Sequence, residues 1–340
     1  MRFLLYLSQN YSFEIMRPLA KVMLENGHAV KWFVDGKKVN QALFLDDEVV
    51  LDSVKATIAY QPDAVFLPGN VVPSFIPGLK VQLFHGFEWK KKGHFRIREC
   101  FDLYCTQGPF FTDKFLELRE LHPHFSVVET GWTKLDALFQ MPRVNRASDE
   151  PAHILYAPTF SPSFGSATAL LSQIVTLSYE QDWVWNIKFH PKMDPDVIAQ
   201  YEAMQHDKLI VVKEASILPL LNSCDVMVSD TSSAITEFLL LNKPVVTFNN
   251  AQPEDVLINI TEPDDLAGAL QKALSGDTQL NDAINTYRHM MHPYTDGQAA
   301  QRVLDATLAE IKAFPRAENV AKPRNWLRNM KLRKRLNYWF

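Results

Sequence analysis

Short apolar runs alternate with longer amphipathic stretches along most of this chain, and that alternation leaves few options beyond parallel sheets wrapped by helices. Runs at 2–7, 29–34, 64–68, 80–84, 101–106 and 126–130 read as the strands of one doubly wound domain. The polar stretch PRVNRASDEP at 142–151 breaks the series as an interdomain linker would. A second series follows at 153–158, 184–189, 209–213, 225–229 and 244–248, giving a second domain of the same α/β type. From about 263 the pattern is helical, over 263–275, 279–291 and 297–313, a tail able to cross back to the first domain. The expected organisation is a Rossmann-like domain over 1–145, a second over 152–312, and a basic aromatic tail over 313–340.

At 340 residues the chain exceeds the roughly 250–300 at which one hydrophobic core stops growing, so two domains fit its size. Its 47% hydrophobic and 22% charged content excludes disordered and fibrous classes. Cys100, Cys105 and Cys224 make an odd set without metal or redox spacing and read as reduced thiols. The opening MRFLLYLSQN has too short an apolar run for a signal peptide, and nothing reaches the roughly 18 apolar residues of a membrane span. A cytoplasmic protein is expected. Residues 322–340 carry seven basic side chains and no acidic one in a chain of net charge −4, together with Trp326, Tyr338, Trp339 and Phe340. That composition suits peripheral attachment to an anionic membrane, on its inner face; a terminal helix packed back on the protein is the alternative. No nucleic-acid partner is expected.

In an open parallel sheet ligands bind beyond the carboxyl ends of the strands, so polar residues just after a strand are the candidates. His85-Gly86 follows the run ending at Phe84 and could serve as a general base, or merely cap the strand. Lys90, Lys91 and Lys92, with Arg96 and Arg98 beyond, would attract an anionic substrate or form a solvated basic loop. Alternation puts Lys188 and His190 on one face of their strand, where both could meet one phosphate. The strand ending at Ser229 runs into Asp230, Thr231, Ser232 and Ser233 at a helix start, a phosphate-binding arrangement beyond what a helix cap requires. Glu237 could accept from a ribose, and Thr159 and Ser161 could line the nucleotide pocket, where the bland readings are an exposed glutamate and ordinary loop chemistry. No acidic pair or histidine cluster has metal-ligand spacing, so no tightly bound metal or cofactor is expected.

Taken in order, these segments resemble the CDP-glycerol glycerophosphotransferase family, the teichoic-acid-type polymerases and primases. The matching residues are His85-Gly86, Thr130-Gly131 with Lys134 and Asp136-Ala137-Leu138, Ile154 to Thr159, Lys188 to Pro191, Asp230 to Ser233, Lys243-Pro244, Asp296-Gly297 and Arg302. The chain departs from the family pattern at Phe87-Glu88, at Thr133-Lys134 and at Phe160-Ser161. The resemblance implies a GT-B fold, two Rossmann-like halves facing a cleft, with the acceptor on the N-terminal side and the nucleotide donor on the C-terminal side. It implies transfer of glycerol phosphate, or a related polyol phosphate, from a CDP-linked donor to a hydroxyl of a membrane-associated glycan or glycolipid, with release of CMP. Carried over by position, His85 is the base, and His190, Ser232 and Ser233 hold the donor phosphates beside Lys188 and Thr231. Two other readings share this sequence: a GT-B sugar transferase or sugar-nucleotide 2-epimerase using a UDP-sugar, and a non-catalytic nucleotide- or glycan-binding protein.

Overall fold

A computed structural model of the chain describes all residues except Lys37, 88–92, Arg143, Asn145, Ser148, 162–164, Ala215, 314–321 and Phe340. The chain forms two compact units: Met1–Gln140 with Met291–Phe340, and Met141–Met290.

The first unit is built on strands β1 (Arg2–Leu7), β2 (Ala29–Val34), β3 (Val50–Leu51), β4 (Ala64–Leu67), β5 (Leu79–Gln82), β6 (Leu103–Thr106) and β7 (Ser126–Glu129). Its helices are α1 (Ser12–Glu25), α2 (Val54–Ala59), α3 (Pro109–Leu121) and α4 (Lys134–Gln140). The sheet order is β3-β2-β1-β4-β5-β6-β7, paired in parallel, so the chain reverses direction across the sheet once, between β1 and β4. Phe3, Leu4 and Leu5 on β1, Val65 and Phe66 on β4, and Val81 and Leu103 on the next two strands are fully buried. Layers on both faces explain why these strands read as unbroken apolar runs.

The second unit carries β8 (Ala152–Tyr156), β9 (Trp183–Ile187), β10 (Leu209–Val211), β11 (Val226–Ser229), β12 (Val245–Phe248) and β13 (Leu257–Ile260). Between them lie α5 (Ala167–Glu180), α6 (Pro195–Ala203), α7 (Leu218–Ser223) and α8 (Ala234–Leu239), followed by α9 (Leu266–Leu274) and α10 (Thr278–Met291). The order β10-β9-β8-β11-β12-β13 places its single reversal between β8 and β11. A separate core forms around Trp185, Ile187, Val228 and Val246, with Leu170 and Ile174 of α5 and Leu266 and Leu270 of α9.

The chain then rejoins the first unit through α11 (Ala299–Ala313) and α12 (Trp326–Arg335). The second domain was expected to run to 312, whereas the division falls at Met291. The reason lies in the apolar face of α11, where Ala299, Ala300, Val303 and Leu304 are buried and the helix packs on α1, α4 and β6.

Candidate active site

In the first unit, His85 stands where the chain leaves β5, and its position is set by the residue before it. Phe84 has φ of 57°, a left-handed conformation that costs a bulky residue about 1–3 kcal/mol. Packing enforces it: the Phe84 ring is buried against Phe115 at 5.0 Å and His94 at 5.5 Å, and its carbonyl accepts from the Trp132 indole at 3.3 Å. Beyond His85, the Gly86 carbonyl accepts from Gln107 at 3.0 Å. With the backbone fixed on both sides, the half-buried imidazole lies beside Tyr11, ring centroids 5.9 Å apart. Lys90, Lys91 and Lys92 lie outside the described residues.

The Thr130-Gly131 and Asp296-Gly297 turns, far apart in sequence, meet in this same unit. Gly131 has φ of 82°, and a Cβ there would stand 3.0 Å from His292 Nε2 and 3.1 Å from Ala299. The Trp132 N–H donates to His292 Nε2 at 2.9 Å, and burial pushes the His292 pKa down to about 4. Asp136 is buried and accepts from the Ala299 and Ala300 N–H groups at 2.8 and 2.7 Å, capping the start of α11. Arg302 pairs with Asp296 and lies 3.9 Å over the Tyr294 ring. These motif residues fasten the segment where the chain leaves the first unit to the segment where it returns.

In the second unit the reversal between β8 and β11 is organised by Asp230. Its carboxylate has no exposed surface and accepts from the N–H of Thr159 at 2.9 and 3.1 Å, from the N–H and Oγ of Ser166 at 3.0 Å each, and from the Thr231 N–H at 2.6 Å. The Asp230 carbonyl accepts from Asn250 at 2.7 Å, and Ser229 Oγ donates to the Ala157 carbonyl at 2.7 Å. Asp230 was expected to touch the nucleotide itself. Both of its oxygens are instead engaged inside the protein, so it positions the loop after β8 against the loop after β11.

That scaffold leaves Thr159, Ser161 and Ser232 half-buried and Thr231 and Ser233 exposed, while Glu237 is buried inside α8. Ser233 makes no side-chain bond at the N-cap, and Ser232 Oγ accepts from the Ala234 N–H at 3.3 Å.

His190 and Lys188 do not share the face that strand alternation suggests. β9 ends at Ile187, and beyond it the period of two lapses. Lys188 Nζ donates to the Glu214 carbonyl, after β10, whereas His190 stacks on Phe160, after β8, with centroids 4.4 Å apart. β9 lies between those two strands, so the pair diverges to opposite neighbours. The Lys192 N–H donates to His190 Nδ1 at 3.1 Å. Burial, with help from Lys192, lowers the His190 pKa, so the neutral ring carries its proton on Nε2 as a hydrogen-bond donor. Sequence reasoning missed Phe160 as the platform for this ring; its one signal was an aromatic residue in the loop that follows β8.

A family model described as CDP-glycerol:poly(glycerophosphate) glycerophosphotransferase matches residues 122–309, more than half of the chain. The chain belongs to that family. This glycerophosphotransferase is an enzyme of the transferase class, and its family supports CDP-glycerol as donor. No curated protein matches it.

Among solved structures, the glycerophosphotransferase resembles a Listeria monocytogenes protein assigned as a UDP-N-acetylglucosamine 2-epimerase, with TM-score 0.66 and 14% identity, covering 94% of this chain and 99% of that one. The wall teichoic acid polymerase TagF gives TM-score 0.64 at 15% identity over 91% and 89% of the two chains. MnaA from S. aureus, in complex with UDP, gives 0.63 at 15% identity over 95% and 98%. These likenesses establish the shared architecture, two parallel-sheet α/β domains of the GT-B class.

Proposed function

We propose that this glycerophosphotransferase moves glycerol phosphate, or a related polyol phosphate, from a CDP-linked donor to a hydroxyl of a membrane-associated glycan or glycolipid, releasing CMP. The acceptor oxygen attacks the donor's outer phosphorus, a new P–O bond forms, and the bond to the CMP oxygen breaks. His85 takes the acceptor proton. Charge building on the phosphoryl oxygens is met by the His190 Nε2–H and by the hydroxyls of Thr231, Ser232 and Ser233, the electrostatic help such transfers mainly need; Lys188, turned to the Glu214 carbonyl, is left out of the phosphate contacts. Thr159 and Ser161 border the nucleotide, and Asp230 holds their loop; Glu237, buried inside α8, is not placed to take the ribose hydroxyls. Lys90, Lys91 and Lys92 attract the acceptor. The enzyme works from the cytoplasm at the inner face of the membrane; no helix among the described residues is long and apolar enough to cross one.

The observation that carries this reading is the family match, whose 122–309 span contains His190, Asp230 and the hydroxyl run. CMP release from CDP-glycerol tests it. His85→Ala is expected to slow release by about 10²-fold or more, the usual worth of a proton-transfer group, and His190→Ala by about 10²–10³-fold, the usual worth of a donor to developing charge. Equal rates in wild type and His85→Ala would remove His85 from the mechanism. CDP is expected to raise the melting temperature more than UDP, because a ligand of the native state stabilises it in proportion to its affinity. A preference for UDP would point instead to a sugar-nucleotide enzyme.

A further inference from the structure

The second unit delivers its two phosphate-contacting groups from strands that are not neighbours. His190 follows β9 and the hydroxyl run Thr231 to Ser233 follows β11, while β8 lies between them in the sheet. A direct link between the two must therefore pass through the loop after β8, which carries Phe160.

The backbone on both sides of Phe160 is tied down. The Thr159 N–H donates to Asp230, and the Ser161 carbonyl accepts from the Gly165 N–H at 2.7 Å. A Cβ on Gly165 would stand 2.9 Å from the Ser161 carbonyl oxygen and 3.0 Å from that of Thr159, so the turn closes this tightly because the residue is glycine. His190 sits on a turn of its own, with its carbonyl accepting from the Met193 N–H at 2.8 Å and with Phe189 and Met193 buried on either side. Between the two turns the rings stack with 28° between their planes, and the Lys192 ammonium lies 5.5 Å from the Phe160 centroid.

The stack covers one face of the imidazole, and the Lys192 N–H holds its edge at Nδ1. An exposed histidine without such contacts spreads over three χ1 wells and two ring orientations, roughly six in all. A face contact and an edge contact together select one, and Nε2 is aimed in a single direction. The fold has little need of this stack. Phe160 is 40% exposed and stands apart from the core around Trp185, at one of the places where the chain departs from its family's pattern.

We infer that Phe160 is a positioning residue for the transfer: it extends the order set by Asp230 across β8 and holds the His190 imidazole in place relative to the hydroxyl run, so that both meet one diphosphate. Phe160 acts through His190, and its task rests on the transferase reading above.

A double-mutant cycle on the full chain tests this, with CMP release from CDP-glycerol as readout. Phe160→Leu is expected to lower kcat by about three- to sixfold, the worth of the orientations it frees, with the melting temperature unchanged. Phe160→Tyr should restore the rate. In a His190→Ala background the change to leucine should have no effect. Equal losses in both backgrounds, or no loss in either, would overturn the proposal. A second arm needs no turnover: NMR of the histidine ring carbons and protons, with the His190 signal identified by its absence from His190→Ala. That signal is expected to lie upfield under the Phe160 ring and to shift when CDP is added; in Phe160→Leu it should move downfield and respond less to CDP. A His190 signal indifferent to Phe160→Leu would equally overturn the proposal. No CMP release by wild type would count against the transferase reading, and a signal that still moves with Phe160→Leu would leave the platform standing.

Discussion

Asp230 shows how one side chain can prepare a site without facing it. Its removal would orphan the N–H groups of Thr159, Ser166 and Thr231, the Ser166 group in a fully buried position. Asp230→Ala is therefore expected to destabilise the protein by about 3 kcal/mol or more, seen as a lower urea midpoint, and to weaken CDP binding in parallel. A loss below about 1 kcal/mol would mean that water replaces the carboxylate. From the sequence, Asp230 was placed correctly after its strand but given the wrong kind of task, because its burial depends on a loop some seventy residues earlier folding over it. His292 was invisible for a similar reason: nothing near it in sequence marks a buried ring that accepts from Trp132. Its folded pKa of about 4 lies below the ordinary 6.5. The unfolded chain therefore takes the proton first, and the stability His292 contributes is complete above pH 6.5 and lost as pH falls through 4. Between pH 7 and 4, wild type should lose up to about 3 kcal/mol more than His292→Gln, whose amide oxygen can still accept from Trp132. Parallel curves for the two proteins in pH-dependent urea unfolding would exclude this.

Among the elements, α12 explains why the tail admitted two readings. Leu332 is buried, Arg328 donates to the Arg98 carbonyl and Asn329 accepts from Ser74 at 2.8 Å, so one face packs on the first unit. Trp326, Leu327 and Met330 are 66, 78 and 53% exposed on the other face, interleaved with exposed Lys331 and Lys334. Two apolar faces on one short helix blur any single stripe. Replacing Trp326, Leu327 and Met330 with serine is expected to cut co-sedimentation with anionic vesicles severalfold while leaving the packed face and the melting temperature unchanged; raised salt should act likewise on wild type. Sedimentation indifferent to both changes would argue for a helix that only packs. The strands were mostly legible because burial on both faces gives continuous apolar runs. β3 and β13 were not: one has two residues, and the other is a half-buried edge containing Asn259. The Lys243-Pro244 signature has a local purpose as well, since Lys243 Nζ donates to the Leu221, Asn222 and Cys224 carbonyls at 2.9, 2.6 and 2.7 Å, satisfying the end of α7.

At the scale of the whole chain, the second unit owns its sheet and core and uses one continuous stretch of sequence. A fragment of residues 141–290 is expected to unfold cooperatively and to be stabilised by CDP; a molten fragment would show that its core needs the rest of the chain. The boundary at Met291 was the part of the organisation least legible in sequence. Amphipathic periodicity announces that α11 buries one face, yet nothing in it says that the partners are α1, nearly three hundred residues earlier, and β6, about two hundred residues earlier.

That discontinuity bears on birth at the ribosome. Large proteins usually mature from the amino end, each lobe closing as it emerges. Here the leading lobe must wait: α11, which covers α1, and the His292 ring that receives the Trp132 amide are translated only after the entire middle lobe. The middle lobe should therefore resist protease first on stalled nascent chains, with the leading lobe gaining protection once α11 has cleared the exit tunnel.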